Sequence, residues 1–490
     1  MSLLQKDNKE PINPKGAKMK FYNTLTRTTE DFVPIEEGRV KLYSCGPTVY
    51  NRAHVGNLRS FIFVDFLKRW LEFNGFSVMH VMNLTDVDDK TIKRSRQKGI
   101  SLHDLTDEYS KAFFEDLVTL GIKPATVYSR ATEHIPEMVD LIKQLLANGH
   151  AYKKDGSVYY RIASFPQYGQ LAHLDTSGMK AGASGVDVDE YSKDDVRDFV
   201  LWKAYKPQED GDVFWDTEIG RGRPGWHIEC SAMSMKYLGQ TFDIHTGGVD
   251  LIFPHHQNEI AQSEGVTGQH FVNYWLHSGH LFLGGKKMAK SVGTVKYLAD
   301  IAKTRLDVSA FRYLILAHHY RMELNFTEQS LDAAKRTIER LQGFRSALRS
   351  VNSDGENKVR DLVVRAKAVF NQFLDQDLGT PQALAVVFDL IGTIEKNPGV
   401  KNLTTGSAKA VLDFLDIFDS VFGVLELTEN KTNVQEETQP LGTEIEKIIL
   451  ERTHARANRN WQQADEIRNT LLRQGIKLID TEEGTKWERL

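Results

Sequence analysis

The chain has 490 residues, of which 41% are hydrophobic and 26% are charged, so we expect an ordinary globular protein of more than one domain. Two cysteines exclude a disulfide-stabilised scaffold, and the formal net charge of −4 means that any nucleic-acid binding must depend on local basic patches. No apolar run is long enough to cross a bilayer, and the polar segment 1–20 lacks the apolar core of a secretory signal, so we expect a cytoplasmic protein.

A strand, a glycine-containing loop and a helix follow one another around residue 50. The apolar run 40–43 predicts the strand, and helically spaced apolar residues over 58–71 predict the helix. Such an arrangement predicts a phosphate site, because the first helical turn has unpaired N–H groups and a favourable dipole. His54 and Asn57 supply donors, and Gly56 lets the backbone approach a phosphate closely, although a plain turn explains the same residues.

The segments that follow predict a parallel sheet with an insertion. A buried strand over 76–83 completes a βαβ unit, and ligands bind such sheets at the carboxyl ends of their strands. Residues from about 130 to 220 are less regular and predict an insertion with hairpin-like segments. A strand over 241–245 resumes the sheet, and another over 277–283 precedes a basic run.

The rest of the chain changes to helical periodicity. We expect a leader over 1–20, a sheet domain over 21–304 and a helix bundle over 305–424. The segment 425–442 is polar and predicts a linker. A small domain over 443–490 ends the chain.

Four residues far apart in the sequence are candidates for a metal site: Cys45, Cys230, His255 and Glu259. His255 and Glu259 are four positions apart, so a helix directs both side chains to one side. Thiolate, imidazole and carboxylate groups together suit zinc. The spacing has no close cysteine pair, so spacing alone favours the alternative that both cysteines are small buried hydrophobic residues.

A basic run follows Gly284 and Gly285. Its residues Lys287 and Lys290 can neutralise charge that develops on a leaving pyrophosphate. A solvated basic loop is the alternative, since most runs of this kind have no further role.

The two phosphate-type segments, in this order and with this sheet pattern between them, resemble the HIGH and KMSKS motifs of class I aminoacyl-tRNA synthetases. Longer segments resemble the cysteinyl-tRNA synthetase family: CGPTVY at 45–50, NLTDVDDK at 83–90, DFVLWK at 198–203, GRPGWHIECSAM at 222–233 and FPHH at 253–256. The resemblance extends from about residue 20 to residue 490. It implies an α/β fold, in which a Rossmann-type catalytic domain with an insertion precedes a helical bundle and a small C-terminal anticodon-binding domain.

The resemblance implies a cysteine–tRNA ligase that works in two steps. ATP, accompanied by Mg²⁺, activates L-cysteine to cysteinyl-adenylate, and the cysteinyl group is then transferred to the 3′ end of tRNA(Cys). One zinc ion per chain is implied, held by Cys45, Cys230, His255 and Glu259, which reverses the preference from spacing. Zinc binds a thiolate far better than a hydroxyl, so it would select cysteine against serine.

The resemblance also assigns residues to the substrate sites. Those expected at ATP are Gly46, His54, Gly56, Asn57, Gly247, Asp250, Lys287, Lys290 and Ser291, with His54, Lys287 and Lys290 as catalytic residues. Those expected at the cysteine pocket are Thr85, Trp226 and His245. The alternatives are a helix N-cap for Thr85, a core aromatic residue for Trp226 and a glycine-rich turn over 243–250. The family's second motif usually has serine where this chain has Ala289, and we expect the activity to be retained.

The C-terminal segment contains a predicted basic face. Arg452, Arg456 and Arg459 share one helical face, and the resemblance implies that the tail reads the tRNA anticodon, with a solvated face as the alternative. We expect a monomer without membrane association. Two alternative functions remain open. The protein is a ligase that joins cysteine to a sugar amine, or it is a zinc-stabilised module that binds nucleic acid without catalysis. The bundle and basic tail favour tRNA, and Lys287 and Lys290 argue against a module without catalysis.

Overall fold

The computed structural model describes residues 19–174, 198–287, 295–356, 359–425 and 427 and, near the C-terminus, 452–453, 455, 460, 464, 467–468, 476–481 and 484–489. The chain separates into two compact units, with the division after Thr428. The predicted leader lies outside the described residues except for Met19 and Lys20.

The described strands, in chain order, are β1 Lys20–Asn23, β2 Thr28–Asp31, β3 Arg39–Ser44, β4 Ser77–Leu84, β5 Val127–Arg130, β6 Ala151–Lys154, β7 Ser157–Tyr160, β8 Phe199–Ala204, β9 Trp215–Thr217, β10 Gly220–Pro224, β11 Phe242–Gly248, β12 Val272–Ser278, β13 Leu281–Leu283, β14 Lys286–Lys287, β15 Leu324–Phe326, β16 Ile476–Thr481 and β17 Gly484–Arg489.

The described α-helices are α1 Val55–Phe73, α2 Asp89–Lys98, α3 Leu102–Thr119, α4 Ile135–Ala147, α5 Pro207–Asp210, α6 Trp226–Leu238, α7 Gln257–Thr267, α8 Leu298–Ile301, α9 Arg305–Leu316, α10 Glu328–Arg349, α11 Arg360–Asp375, α12 Thr380–Lys396 and α13 Thr405–Phe422. Among them, none combines the length and the apolar character needed to span a membrane.

A five-stranded parallel sheet in the order β12-β11-β3-β4-β5 forms the centre of the first unit. Its inner strands are largely buried, as expected for a parallel sheet covered on both faces. From the neighbouring strands β3 and β11 the chain winds outwards in opposite directions, through α1 to β4 and through α7 to β12. Ligand sites lie at such a switch point, outside the carboxyl ends of the strands.

The predicted insertion contains a second, antiparallel sheet. It has the strand order β6-β7-β8-β10-β9 and lies within residues 151–224. Its last strand, β10, leads through Gly225 directly into α6, so the insertion delivers that helix to the central sheet.

A small sheet in the order β14-β13-β15 follows the central sheet. The predicted single strand over 277–283 is wrong, because β12 ends at Ser278 and β13 begins at Leu281. At Gly279 the backbone passes so close to the segment before β15 that a Cβ would lie 2.6 Å from the carbonyl oxygen of Met322. Gly284 and Gly285 connect β13 to β14 with φ of +55° and +78°, the backbone that a tight hairpin turn requires.

Helices α9 to α13 form the helical region, in agreement with the predicted bundle. Their buried faces carry apolar residues at helical spacing, for example Leu331, Ile338 and Leu341 of α10 and Val411 and Phe418 of α13.

The second unit contains the antiparallel pair β16–β17. Arg452 is only 5% exposed and donates to Oγ1 of Thr485 at 3.4 Å, so it does not contribute to an exposed basic face. Arg456 and Arg459 lie outside the described residues.

Candidate metal and substrate site

The four candidate metal ligands meet at the switch point of the sheet. Cys45 directly follows β3, and Cys230 lies on α6. His255 precedes α7, and Glu259 lies in its first turn. One ligand atom from each residue can be chosen so that all four lie within 4.8 Å of one another. The Sγ atoms of Cys45 and Cys230 are 3.9 Å apart, and Nε2 of His255 is 3.1 Å from Oε1 of Glu259.

Local structure explains why His255 and Glu259 converge. A π-helical turn over Ile252–His256 leads into α7, so that His255 and Glu259 point to the same side. Gly247 at the end of β11 leaves room for the neighbouring imidazole, since a Cβ there would lie 2.7 Å from Cε1 of His256. The two side chains lie on one side, as the spacing indicates, although His255 belongs to the turn before α7, and the end of β11 packs against His256.

The chemistry of these side chains fits a metal cation. Burial raises the pKa of the Cys45 and Cys230 thiols and of the Glu259 carboxyl, and it lowers the pKa of His255. Oε1 of Glu259 is buried and accepts no well-aligned hydrogen bond from the described residues, although Nε2 of His255 lies 3.1 Å away. A cation between these atoms would favour the thiolate and carboxylate forms and give Oε1 a partner.

Sequence reasoning missed three histidines that border this cluster. One is His227, whose Nδ1 lies 2.9 Å from Nδ1 of His255. Nε2 of His256 is 3.3 Å from Sγ of Cys45, and Nδ1 of His256 is 2.8 Å from Nε2 of His277. Cys45, His245, His256 and Glu259 form a second group whose ligand atoms also lie within 4.8 Å of one another. The adjacent pair His255-His256 was the available signal, whereas nothing local marks His277.

Of the three residues predicted for the cysteine pocket, His245 and Trp226 contact candidate metal ligands, and Thr85 contacts Glu229, which directly precedes Cys230. Oγ1 of Thr85 donates to Oε2 of Glu229 at 2.8 Å, and Nε2 of His245 lies 2.9 Å from Oε2 of Glu259. The Trp226 ring stacks on the His255 imidazole, with centroids 4.2 Å apart. The pocket thus has apolar, hydroxyl and imidazole groups beside the candidate metal ligands.

Two alternatives for this pocket can be compared with the structure. Thr85 is not the N-cap of α2, because the side chain of Asp88 caps that helix by accepting from the backbone N–H of Thr91. Trp226 is partly exposed, which does not suit a simple core residue. Glu229 was missed although it lies in the quoted segment 222–233, and burial raises its pKa well above the usual value.

The predicted phosphate residues lie at the start of α1, where they also cap the helix. Nδ1 of His54 accepts from the backbone N–H of Asn57 at 3.1 Å, and Oδ1 of Asn57 accepts from the backbone N–H of His54 at 3.2 Å. Gly56 lies in the same first turn and is partly exposed. This reciprocal capping box fixes the helix start that is expected to face ATP.

The other residues predicted for ATP have different surroundings. Gly46 passes so close to β4 that a Cβ would lie 1.7 Å from the carbonyl oxygen of Asn83, and its N–H donates to Oδ1 of Asn83 at 2.8 Å. Gly247 is buried, whereas Asp250 is exposed just after β11. Close packing therefore accounts for glycine at positions 46 and 247, and the role of both residues at ATP stays a prediction.

The basic run is described only in part. Lys287 pairs with Phe282 in the β13–β14 hairpin. Lys290, Ser291 and Ala289 lie outside the described residues, and their roles stay predictions.

Comparison with known proteins first identifies the class of protein to which this chain belongs. Residues 31–336 match the family model of the tRNA synthetases class I (C) catalytic domain, and residues 369–426 match the DALR domain. The fold is similar to a Mycobacterium tuberculosis methionyl-tRNA synthetase in complex with methionyl-adenylate, with a TM-score of 0.56 and 13% identity over 80% of this chain and 90% of that chain. It is also similar to an Agrobacterium radiobacter K84 LeuRS in a ternary complex, with a TM-score of 0.56 and 12% sequence identity over 82% of this chain and 86% of that chain. The architecture is that of a class I aminoacyl-tRNA synthetase.

Curated relatives define the family within this class. The cysteine–tRNA ligase of Brachyspira hyodysenteriae is 48% identical over 96% of this chain and 99% of its own length. The cysteine–tRNA ligase of Solibacter usitatus is 46% identical over 96% of this chain and 99% of its own length. The cysteine–tRNA ligase of Chlamydia pneumoniae is 43% identical over 95% of this chain and 97% of its own length. The chain therefore belongs to the cysteine–tRNA ligase family, and it joins cysteine to tRNA at the expense of ATP. The predicted family is confirmed, and the sugar-amine ligase and the binding module are set aside.

Proposed function

We propose that this ligase selects cysteine with one Zn²⁺ held by Cys45, Cys230, His255 and Glu259. The observation that supports the proposal is the convergence of these four ligand atoms within 4.8 Å of one another. Two sulfur, one nitrogen and one oxygen ligand would suit zinc, and Oε1 of Glu259, which accepts no well-aligned hydrogen bond from the described residues, would supply the oxygen.

The side chains around the ligands orient them and bound the cysteine pocket. Trp226 fixes the plane of the His255 ring by stacking, and His245 holds Oε2 of Glu259 so that Oε1 remains directed at the ligand cluster. Thr85 and its partner Glu229 line the pocket beside them. A bound Zn²⁺ supplies a soft Lewis acid that prefers the thiolate of cysteine to the hydroxyl of serine.

The start of α1 and the basic hairpin act on the nucleotide in this proposal. The cysteine carboxylate attacks the α-phosphate of ATP in line, and pyrophosphate leaves. A ribose hydroxyl at the 3′ end of tRNA(Cys) then attacks the carbonyl carbon of the adenylate, which breaks the anhydride bond and releases AMP. The first turn of α1, with His54, Gly56 and Asn57, binds phosphate, while Gly46, Gly247 and Asp250 lie beside the nucleotide. Lys287, Lys290 and Ser291, with Mg²⁺ on the ATP, stabilise the leaving group.

No protein nucleophile is required for either step. Both reacting partners already carry a nucleophilic oxygen, so the protein contributes by positioning them and by stabilising charge. The carboxyl edge of the sheet suits the positioning of both reactants. Cys45 of the proposed metal site follows β3 directly, and His54 of the proposed phosphate site lies nine positions later at the start of α1.

Two assays test the proposed reaction. We expect pyrophosphate exchange that requires both cysteine and ATP, and charging of tRNA(Cys) with radiolabelled cysteine. Serine should not replace cysteine in exchange. Exchange that proceeds equally with serine would contradict selection by zinc.

Cys230→Ser tests the ligand set. Cys230 belongs to the proposed set and not to the group that contains His245 and His256, so its replacement separates the two. We expect the variant to lose stoichiometric zinc, measured by elemental analysis. Ser234→Ala is the matched control, because Ser234 is buried one turn further along α6 and its hydroxyl donates to the carbonyl of Ser231 at 3.3 Å. Full zinc retention in Cys230→Ser would favour the histidine group instead.

A further inference from the structure

Arg59 is a buried cation in the helix that carries the proposed phosphate site. It lies in the second turn of α1 and is 1% exposed. Its Nη1 donates to the carbonyl of His280, and its Nη2 donates to the carbonyls of Met322 and, at 3.2 Å, Tyr320. Its direct partners among the described residues are these main-chain oxygens, and the negative charge of Glu323 also favours the charged form, since it raises the pKa that burial lowers.

These carbonyls lie at the base of the sheet β14-β13-β15. His280 directly precedes β13, and Tyr320 and Met322 lie in the segment that leads into β15. The two segments also bond to each other, because Gly279 N–H donates to Tyr320 at 2.8 Å and Leu324 N–H donates to His280 at 2.9 Å. Arg59 thus joins α1 to the crossing point from which the β13–β14 hairpin extends.

The contact of Arg59 with the three carbonyls requires a guanidinium group. A buried guanidinium is costly unless its donors are satisfied, and burial lowers the pKa of Arg59 to about 10, so the group remains charged at neutral pH. A planar fork with several N–H donors can reach three carbonyls, whereas a lysine ammonium cannot match that geometry. One turn further along α1, Phe63 stacks on Tyr320 with centroids 4.4 Å apart and reinforces the same attachment.

We propose that Arg59 is a positioning residue for the activation step, which holds the hairpin bearing Lys287 in place relative to the start of α1. The inference rests on the proposed roles of His54 and Lys287. The in-line reaction needs the phosphate-binding turn and the cationic hairpin in register, and a displacement of about 1 Å can cost on the order of 100-fold in rate.

The test compares Arg59→Gln and Arg59→Lys with wild type in cysteine-dependent pyrophosphate exchange. We expect kcat to fall about 10- to 100-fold in Arg59→Gln, with a smaller fall in Arg59→Lys. The KM for cysteine and the zinc content should stay at wild-type values, because Arg59 does not contact the ligand cluster. A purely structural role would lower the amount of folded enzyme and leave kcat per folded molecule unchanged.

Arg345→Gln is the matched control. Arg345 is also a buried arginine, 7% exposed, and it pairs with Asp416 at 2.7 Å between α10 and α13. We expect this variant to lower Tm while exchange per folded molecule stays at the wild-type value. If Arg59→Gln does not fold, Arg59→Lys decides the matter, since it keeps the charge and loses the fork.

The outcomes separate this inference from the proposed function. Loss of exchange in Lys287→Ala together with wild-type kcat in the Arg59 variants would overturn only the role of Arg59. Wild-type exchange in Lys287→Ala would overturn the proposed function of the hairpin and the inference with it. An equal fall of kcat in Arg345→Gln and Arg59→Gln would also overturn the inference, because it would be a general effect of destabilisation.

Discussion

His54 has two roles that substitutions can separate. Its imidazole accepts the backbone N–H of Asn57 and so caps α1, and the same side chain is proposed to bind phosphate. His54→Ala removes both, so we expect a loss of about 1 kcal/mol in the free energy of unfolding and a loss of exchange activity. His54→Asn retains a capping acceptor and should keep the wild-type stability while exchange falls. Urea unfolding and pyrophosphate exchange measure the two effects, and unimpaired exchange in His54→Asn would contradict the phosphate role.

The metal ligands show how far single residues could be predicted. The pair His255 and Glu259 follows from helical spacing alone, and the structure places these side chains 3.1 Å apart. Cys45 and Cys230 are 185 positions apart and meet only because β11, which neighbours β3, is preceded by α6. Their meeting depends on sheet order, which spacing does not encode, so only the resemblance to a family indicated it.

Helix α1 is anchored by a buried ion pair as well as by apolar packing. Asp65 accepts from Arg312 of α9, from Arg69 at 2.8 Å and from the backbone N–H of Lys123 at 2.8 Å. Asp65→Asn would leave the fully buried Arg312 without its counter-ion, so we expect a loss of about 3–5 kcal/mol in the free energy of unfolding. Asp413→Asn is the matched control, because Asp413 forms an exposed pair with Lys409 and should have almost no effect. Equal effects of the two substitutions in urea unfolding would contradict this account.

The same ion pair predicts a pH dependence. Burial alone would raise the pKa of Asp65, but Arg312 and Arg69 outweigh it and hold the pKa of the folded protein below the usual value. The stabilisation is therefore fully present above the unfolded pKa of about 3.9 and is lost as pH falls through the lower folded pKa. We expect the stability difference between wild type and Asp65→Asn to be constant from about pH 5 to about pH 8 and to narrow below about pH 4. A difference that narrows on the alkaline side would contradict the assignment.

At the level of whole elements, periodicity predicted helices well and buried charges poorly. Apolar spacing indicated α1 and the bundle helices, because each buries an apolar face. It gave no sign that Arg59 and Asp65 are buried in α1, since Arg59 donates to the carbonyl of His280 and Asp65 accepts from Arg312, each more than 200 positions away. The break at Gly279 was missed for a similar reason, because the close approach that requires it involves a distant segment.

The division of the molecule after Thr428 leads to a prediction about the two steps of the reaction. All residues proposed to bind the metal, cysteine and ATP precede this division, whereas the region implied in anticodon reading follows it. Leu425 is fully buried and Leu427 packs partly buried against the same core, so a chain that ends at Thr428 keeps both residues. We expect this shortened chain to retain cysteine-dependent exchange within about twofold and to lose charging of tRNA(Cys) by at least about tenfold.

The tenfold loss should appear in the KM for tRNA more than in the KM for cysteine, because a contact remote from the chemistry mainly affects binding of the larger substrate. Zinc content and Tm of the shortened chain supply the control for correct folding of the first unit. Unimpaired charging would show that residues 429–490 are not needed for tRNA recognition. Loss of exchange with normal zinc content would show instead that the second unit contributes to the activation site, which would contradict the assignment of all activation residues to the first unit.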